Sequence, residues 1–387
     1  MFCDIIATVI KMKKLIIAVS LALMLLAGCT RQETELKKFT ASTLDAGFDT
    51  FVSLVGYTKN QKEFDEYFAQ MKDRFIHYNQ LFDKYNNYEG INNIKTINDN
   101  AGKSAVEVDP EIIEMLLLAK EYHAITNGKF DITMGATMKI WHEYREKGQS
   151  LNEIGDYNPP VPTKKELQES FKYSGWQYIE IDQEKNTVYI TDKNVSLDVG
   201  GIAKGFATEK VALFLEEKGL TSGAVNGGGN IRIIGNKGDG TDWTIGVTNP
   251  DDPSGSSVAT FINTKGNRSY VTSGDYQRYY ISNNQLFGHI IDPDTLYPAT
   301  HFRSVTVVLV DSGKADILST ALFVLSYEEG VEYIKQYNLA HPDDQIGAVW
   351  VFDLDQKPEN DTKGMEVNSY YIIASDNIYD EVKNFME

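Results

Sequence analysis

Apolar positions along this chain recur at two periods, and the switches between them mark out the elements. From Glu63 to Tyr85, Phe64, Tyr67, Phe68, Met71, Phe75, Tyr78 and Phe82 return every three or four residues, which predicts a helix with one inward stripe. EIIEMLLLAKEYHAIT (111–126) predicts a second helix, stopped by Asn127–Gly128. Helices are also expected at Ile202–Lys218, closed by Gly219 as a C-terminal cap, at Ala315–Leu325 and near Glu328–Tyr337. Alternating or β-branched runs predict strands near 48–57, 178–181, 187–190, 223–225, 230–234, 243–247, 257–262, 303–310 and 347–352. The polar stretch Glu146–Lys165, with Gly148, Gly155, Pro159, Pro160 and Pro162, reads as a long surface loop. No repeat of solenoid period and no low-complexity tract appears. The expected fold class is α+β: a single large two-lobed domain of mixed, mostly antiparallel sheets with packed helices, spanning residues 41–387.

The start of the chain has a different pattern. MKKLIIAVSLALMLLAGC places Lys13 and Lys14 before an apolar run from Leu15 to Leu26 and a small-residue end at Cys29. That run is too short to remain as a membrane anchor. LAGC resembles the lipobox of bacterial lipoproteins, so residues 1–28 are expected to be a lipoprotein signal peptide and Cys29 the lipidated residue. Residues 29–40 would form a polar tether, and the domain would stand on the extracytoplasmic side of a bacterial membrane. Loss of Cys3 with the signal leaves Cys29 alone, which excludes a disulfide, a thiolate nucleophile and a cysteine metal site.

Composition narrows the function further. The 387 residues are 42% hydrophobic and 11% aromatic, enough for a large core. A formal charge of −18 argues against any sequence-blind grip on nucleic acid.

Candidate chemistry gathers in a few glycine-rich stretches. In SLDVGGIAKGFATE (196–209), Asp198 precedes Gly200, Gly201, Lys204 and Gly205 at the start of a helix. The spacing fits neither a Walker loop nor a dinucleotide fingerprint, yet glycines beside a helix N-terminus suit a bulky anion. VNGGGNI (225–231) has three glycines where a structural bulge needs one, which points to something lying close against the backbone. In GKADILSTALFVLS (313–326), Asp316 and Thr320 are four apart and share a helical face. Two such oxygens with a carbonyl from a glycine turn would suit Mg²⁺; Zn²⁺ is disfavoured without paired histidines or a free cysteine. Asp316 read alone is equally a first-turn acid favoured by the helix dipole, and His289 alone a structural histidine. A hydrolase using Ser273 and His289 lacks the G-x-S-x-G elbow.

Taken together, LDVGGIAKGFA, VNGGGNI, TSGDYQRY, HIIDPDTLYP and ADILSTALFVL, in that order, resemble the ApbE-type flavin transferases (FAD:protein FMN transferases), many of them exported lipoproteins. GKFDIT (128–133) and LFDKYNNYEGINNIKTIN (81–98) extend the match to the first half. The resemblance implies Mg-dependent transfer of the FMN part of FAD to a Thr or Ser hydroxyl of an exported acceptor protein, with release of AMP. That acceptor would be a membrane redox or extracellular electron-transfer subunit. By the same resemblance, Asp316, Thr320, the Gly201 carbonyl and Ser319 of the same turn would hold Mg²⁺. Phe48, Tyr85, Lys129, Phe130, Asp131, Asp198, Lys204, His289 and Ile290 would bind FAD. His289 would also be the base that frees the hydroxyl, worth about 10²–10⁴-fold. The alternatives are a Mg-dependent FAD pyrophosphatase giving FMN and AMP, and a surface lipoprotein that binds flavin without turnover. One departure stands out: Leu296 occupies a position where the family has glycine. If that position needs positive φ, leucine costs about 1–2 kcal/mol there, which bears on acceptor recognition more than on FAD binding.

Overall fold

The computed structural model describes residues 35–252, 257–359 and 363–383. The expected signal segment 1–28, Cys29 and the first part of the tether lie outside the described residues.

In chain order the elements are β1 (Lys37–Thr43), β2 (Val52–Thr58), α1 (Gln61–Phe82), α2 (Ile94–Asp99), β3 (Val106–Glu107), α3 (Pro110–Ile125), α4 (Gly135–Glu153), α5 (Lys164–Phe171), β4 (Ile179–Asp182) and β5 (Thr187–Ile190). There follow α6 (Ala203–Glu217), β6 (Gly223–Gly227), β7 (Asn230–Ile234), β8 (Trp243–Thr248), β9 (Val258–Thr264), β10 (Ser269–Gly274), β11 (Tyr280–Ser282) and β12 (Gln285–Phe287). The chain ends through β13 (Ser304–Leu309), α7 (Ser312–Val324), α8 (Tyr327–Ala340), β14 (Gly347–Asp353), β15 (Met365–Val367) and β16 (Tyr370–Ala374).

Among the described residues a nine-stranded sheet runs β1-β2-β6-β7-β10-β13-β14-β16-β15. Every named strand pair is antiparallel. All six residues of β13 are buried, so this central strand is covered on both faces. Helices α6 and α7 pack on each other and on β6, β7, β10 and β13, while α1 packs on β2 and α6. The apolar stripe of α1 is buried as its period requires, through Phe64, Tyr67, Met71, Phe75, Tyr78 and Phe82. A second hydrophobic cluster joins Trp141 of α4 and Leu167 of α5 to Tyr280, Phe287, Ile291 and Leu296.

Differences from the sequence reading have physical causes. The first part of the stretch expected as a loop, from Glu146, belongs to helix α4, which continues to Glu153. Its mid-helix glycine, normally a breaker, is required there: a Cβ on Gly148 would lie 2.4 Å from the Tyr280 ring. Strand β1 takes in residues 37–40 of the expected tether by pairing along β2. Strand β2 begins at Val52, because Gly47, Phe48 and Asp49 adopt left-handed φ of 88°, 58° and 49° and turn the chain first. The glycines of VNGGGNI serve the fold itself. Gly228 and Gly229 have φ of 68° and 92°, as a two-residue hairpin turn between β6 and β7 demands. A Cβ on Gly227 would meet the Thr208 hydroxyl at 2.3 Å.

Candidate active site

The glycine corner before α6 is built for close approach rather than for unusual dihedrals, since Gly200, Gly201 and Gly205 all keep ordinary φ. A Cβ on Gly205 would lie 2.3 Å from the Ser312 carbonyl and 2.4 Å from the Asp316 Cβ. On Gly201 it would lie 3.0 Å from the Phe130 ring and 3.2 Å from Thr320 Oγ1. The absent side chains therefore let the first turn of α6 press against the face of α7 that carries Asp316 and Thr320.

Helix α7 is capped by Asp311, whose carboxylate accepts the Lys314 N–H at 2.9 Å. Asp316 consequently sits in the second turn, beyond the reach of a simple capping role. Its Oδ2 accepts the Gly205 N–H at 2.8 Å. Burial pushes its carboxyl above the ordinary value, against the opposing pull of Lys204. Lys204, on the facing turn of α6, is itself pushed down by burial, with Arg278 adding to the effect. The Ser319 hydroxyl is already engaged: its Oγ donates to the Asp316 carbonyl at 2.9 Å and pairs with Ser273 Oγ at 2.8 Å. That bond also occupies the Ser273 hydroxyl, so no Ser–His pair with His289 forms.

Asp198 is held by an ion pair with Lys84 and by the Gly200 N–H at 3.0 Å. Burial disfavours its charge, but Lys84 and these hydrogen bonds prevail and keep its carboxyl below the usual range. Lys129 links two motifs through Asp292 at 3.4 Å and Asp294 at 2.8 Å. Phe130 is buried against Gly201. Asp131 is taken up by its own turn, accepting the Thr133 N–H and hydroxyl at 2.8 and 2.7 Å. Ile290 is buried, and its carbonyl accepts the Ala299 N–H. Phe48 is half-buried, its N–H bonded to Asn79 Oδ1 at 2.7 Å. Tyr85 is exposed, with its ring 5.4 Å from that of His142.

His289 stands among cations. Burial, then Arg278, Arg145 and Lys204, lower its pKa to about 3, so the ring is neutral at working pH. Its Nδ1 is buried and has no hydrogen-bond partner among the described residues. Lys84, Arg145 and Arg278 were not singled out from sequence. Lys84 and Arg278 lie inside recognised stretches, whereas Arg145 sits on α4, at the edge of what reads as a loop. Three cations, Arg278, Arg145 and Lys204, thus act on one unprotonated imidazole in a chain of net charge −18. Such a site favours an anionic, phosphate-bearing ligand and proton removal from a neutral nucleophile.

A family model described as the ApbE family matches residues 48–341. A relative from Haemophilus influenzae, named FAD:protein FMN transferase, is 30% identical over 338 residues, 85% of this chain and 92% of that protein. One of the same name from Treponema pallidum is 30% identical over 258 residues, 63% of this chain and 68% of that protein. The crystal structure of an ApbE protein from Thermotoga maritima covers 89% of this chain and 99% of its own, at 26% identity and a TM-score of 0.70.

Proposed function

This chain belongs to the ApbE family, and on that premise we propose how its site carries out transfer of a flavin nucleotide. The protein is an enzyme that moves FMN from FAD to a protein. In the proposed reaction a Ser or Thr hydroxyl of the acceptor attacks the phosphorus on the FMN side of the diphosphate. A new O–P bond forms, the bond to the AMP phosphate breaks, AMP leaves, and the hydroxyl proton passes to His289 and on to solvent.

The observation that carries this reading is the neutral His289, with its unpaired Nδ1, within electrostatic reach of Lys204, which adjoins the Gly205 that meets Asp316. A neutral imidazole accepts a proton, while Lys204, Arg145 and Arg278 would attract the diphosphate. Asp198, locked by Lys84, would orient the nucleotide, and Phe48, Tyr85, Phe130 and Ile290 would flank the flavin. Lys129 would support the same wall through its ties to Asp292 and Asp294.

The Asp316 carboxylate, the Thr320 hydroxyl and the Gly201 carbonyl would hold one Mg²⁺. The set fits: all three are hard oxygens, and Gly201 lies bare against Thr320 Oγ1. Asp316 commits Oδ2 to Gly205 and has Oδ1 to offer. Among the described residues no group of three or more acidic, histidine or cysteine side chains is placed to hold a metal ion, so substrate oxygens and water would complete the shell. When bound, the ion would neutralise diphosphate charge and stabilise the AMP leaving group. Ser319, committed to Ser273, would support the turn rather than the ion.

Cys29 would anchor the protein by lipid on the extracytoplasmic side, and its acceptor would be an exported redox or electron-transfer subunit. No helix among the described residues is long and apolar enough to cross a membrane. The test is incubation of the purified protein with FAD, Mg²⁺ and a candidate acceptor. AMP with covalent flavin on the acceptor supports the reading; AMP with free FMN would point to pyrophosphatase action, and neither product to flavin binding alone.

A further inference from the structure

The described arginines divide into two groups. Arg232 pairs with Glu209, Arg268 with Glu381, and Arg303 with Asp251, Asp275 and Asp353. Arg74 lies over the Phe214 ring at 4.3 Å. Arg145 and Arg278 have no carboxylate within ion-pair distance among the described residues, and each lies close enough to repel the charged form of His289.

Their proximity is built into the packing. Gly148 of α4 admits the Tyr280 ring, Gln149 Nε2 donates to the Tyr279 carbonyl at 3.0 Å, and Asn152 bonds both ways with the Ile281 backbone. These contacts clamp α4, one turn beyond Arg145, to the chain just past Arg278. Arg145 is then aimed by His142, whose Nδ1 lies 2.9 Å from Arg145 Nη2. Guanidinium only donates, so that Nδ1 accepts and the His142 proton resides on Nε2. Of the other charges nearby, Lys84 is spent on Asp198, Glu146 is solvent-exposed, and Lys204 faces Asp316. Burial and then Arg278 disfavour the charge of Arg145, Arg278 by more than either Glu146 or Asp198 offsets, and an anion between two guanidiniums without a paired carboxylate removes that repulsion.

We propose that Arg145 and Arg278 form a guanidinium pair that grips the phosphate of the FMN half of the substrate beside His289, with His142 as a positioning residue for Arg145. The identity of the anion rests on the flavin-transferase reading; the pair itself rests on the packing of α4. Fork-shaped donors suit the non-bridging oxygens of a phosphate, and they would hold the phosphorus while its bond to AMP breaks.

FMN and riboflavin, which differ by that phosphate alone, are the probes, with binding to the purified full chain followed by flavin fluorescence. The wild type should bind FMN roughly 10- to 100-fold tighter than riboflavin, the range that charge-assisted hydrogen bonds supply. Arg145→Ala and Arg278→Ala should each collapse most of that ratio while riboflavin binding stays. His142→Asn, which keeps an acceptor where Nδ1 stands, should preserve the ratio, and His142→Leu should lose it. Added salt should weaken FMN binding by the wild type but not riboflavin binding, a reading that needs no variant to fold. No preference for FMN in the wild type, or an unchanged ratio in Arg145→Ala, overturns the proposal. Absence of AMP from FAD with every acceptor, alongside an Arg145-dependent ratio, would leave the anion clamp standing and sink the transferase reading instead.

Discussion

Gly205 and Asp316, 111 residues apart in the chain, meet through a 2.8 Å hydrogen bond from the Gly205 N–H to the Asp316 Oδ2. The contact joins the first turn of α6 to the second turn of α7, and it depends on the missing side chain at 205. In an ordinary helix Gly→Ala stabilises by about 1 kcal/mol. Here the new Cβ would strike the Ser312 carbonyl, which is backbone and cannot swing aside. Gly205→Ala is therefore expected to destabilise by about 1–3 kcal/mol and to abolish AMP release. Urea unfolding and the transfer assay check both, and a stabilised, active variant would contradict the packing account.

A buried ion pair ties α6 to β7, and its carboxylate also reaches α7. Arg232 Nε and Glu209 Oε2 are 3.0 Å apart, and Glu209 Oε2 also accepts the Ser312 N–H at 2.8 Å. Arg232→Ala would strand the Glu209 carboxylate in the interior. The expected loss is roughly 3–5 kcal/mol, with Glu209→Gln in the same background recovering part of it. Thermal unfolding of the single and double variants measures this.

His289 sets the pH behaviour. Its pKa is about 3 in the folded chain and near 6.5 when exposed, so the unfolded state binds more protons between those values. The His289 contribution to stability is whole above pH 6.5 and is lost as the pH falls towards 3. His289→Gln should flatten acid unfolding over that window. The same substitution should slow transfer by about 10²–10⁴-fold while FAD still binds. An acid limb near pH 6.5 in kcat/KM of the wild type that disappears in His289→Gln would show the ring to be charged instead.

Leu296 takes a φ of 65° and is buried, and its carbonyl accepts the Trp141 indole N–H at 2.9 Å. Glycine would relieve about 1–2 kcal/mol of backbone strain, but would empty a site packed against the Trp141 cluster, worth about 2–5 kcal/mol. Leu296→Gly should therefore be net destabilising by roughly 1–3 kcal/mol, seen as a lower Tm. A higher Tm would mean that the leucine contributes no packing.

The helices were legible from their apolar content and stop signals: α1, α3, α6 and α7 lie within a few residues of their expected bounds, α1 with one buried stripe and α7 buried on nearly every side. Helix α4 was hidden because its outer face is polar and its breaker-like Gly148 is explained only by Tyr280, 132 positions on. For the same reason Arg145 was missed. Asp198, Lys204, His289 and Asp316 could be read from short stretches of small and charged residues, and their convergence follows from glycines that only packing explains. Ser319 and Asp131 shared those stretches, yet Asp131 is taken up by its own turn and Ser319 by the Asp316 carbonyl and Ser273, which spacing alone does not reveal.

The most direct test of the account is a Mg²⁺ titration of AMP release and acceptor labelling from FAD, in the wild type and in Asp316→Asn. The wild type should give one AMP per flavin attached, saturating with Mg²⁺. Asp316→Asn, similar in shape but without the charge, should lose at least about 10²-fold in rate at the same Mg²⁺. Equal rates and equal Mg²⁺ dependence in the two proteins would contradict the metal corner on which the mechanism is built.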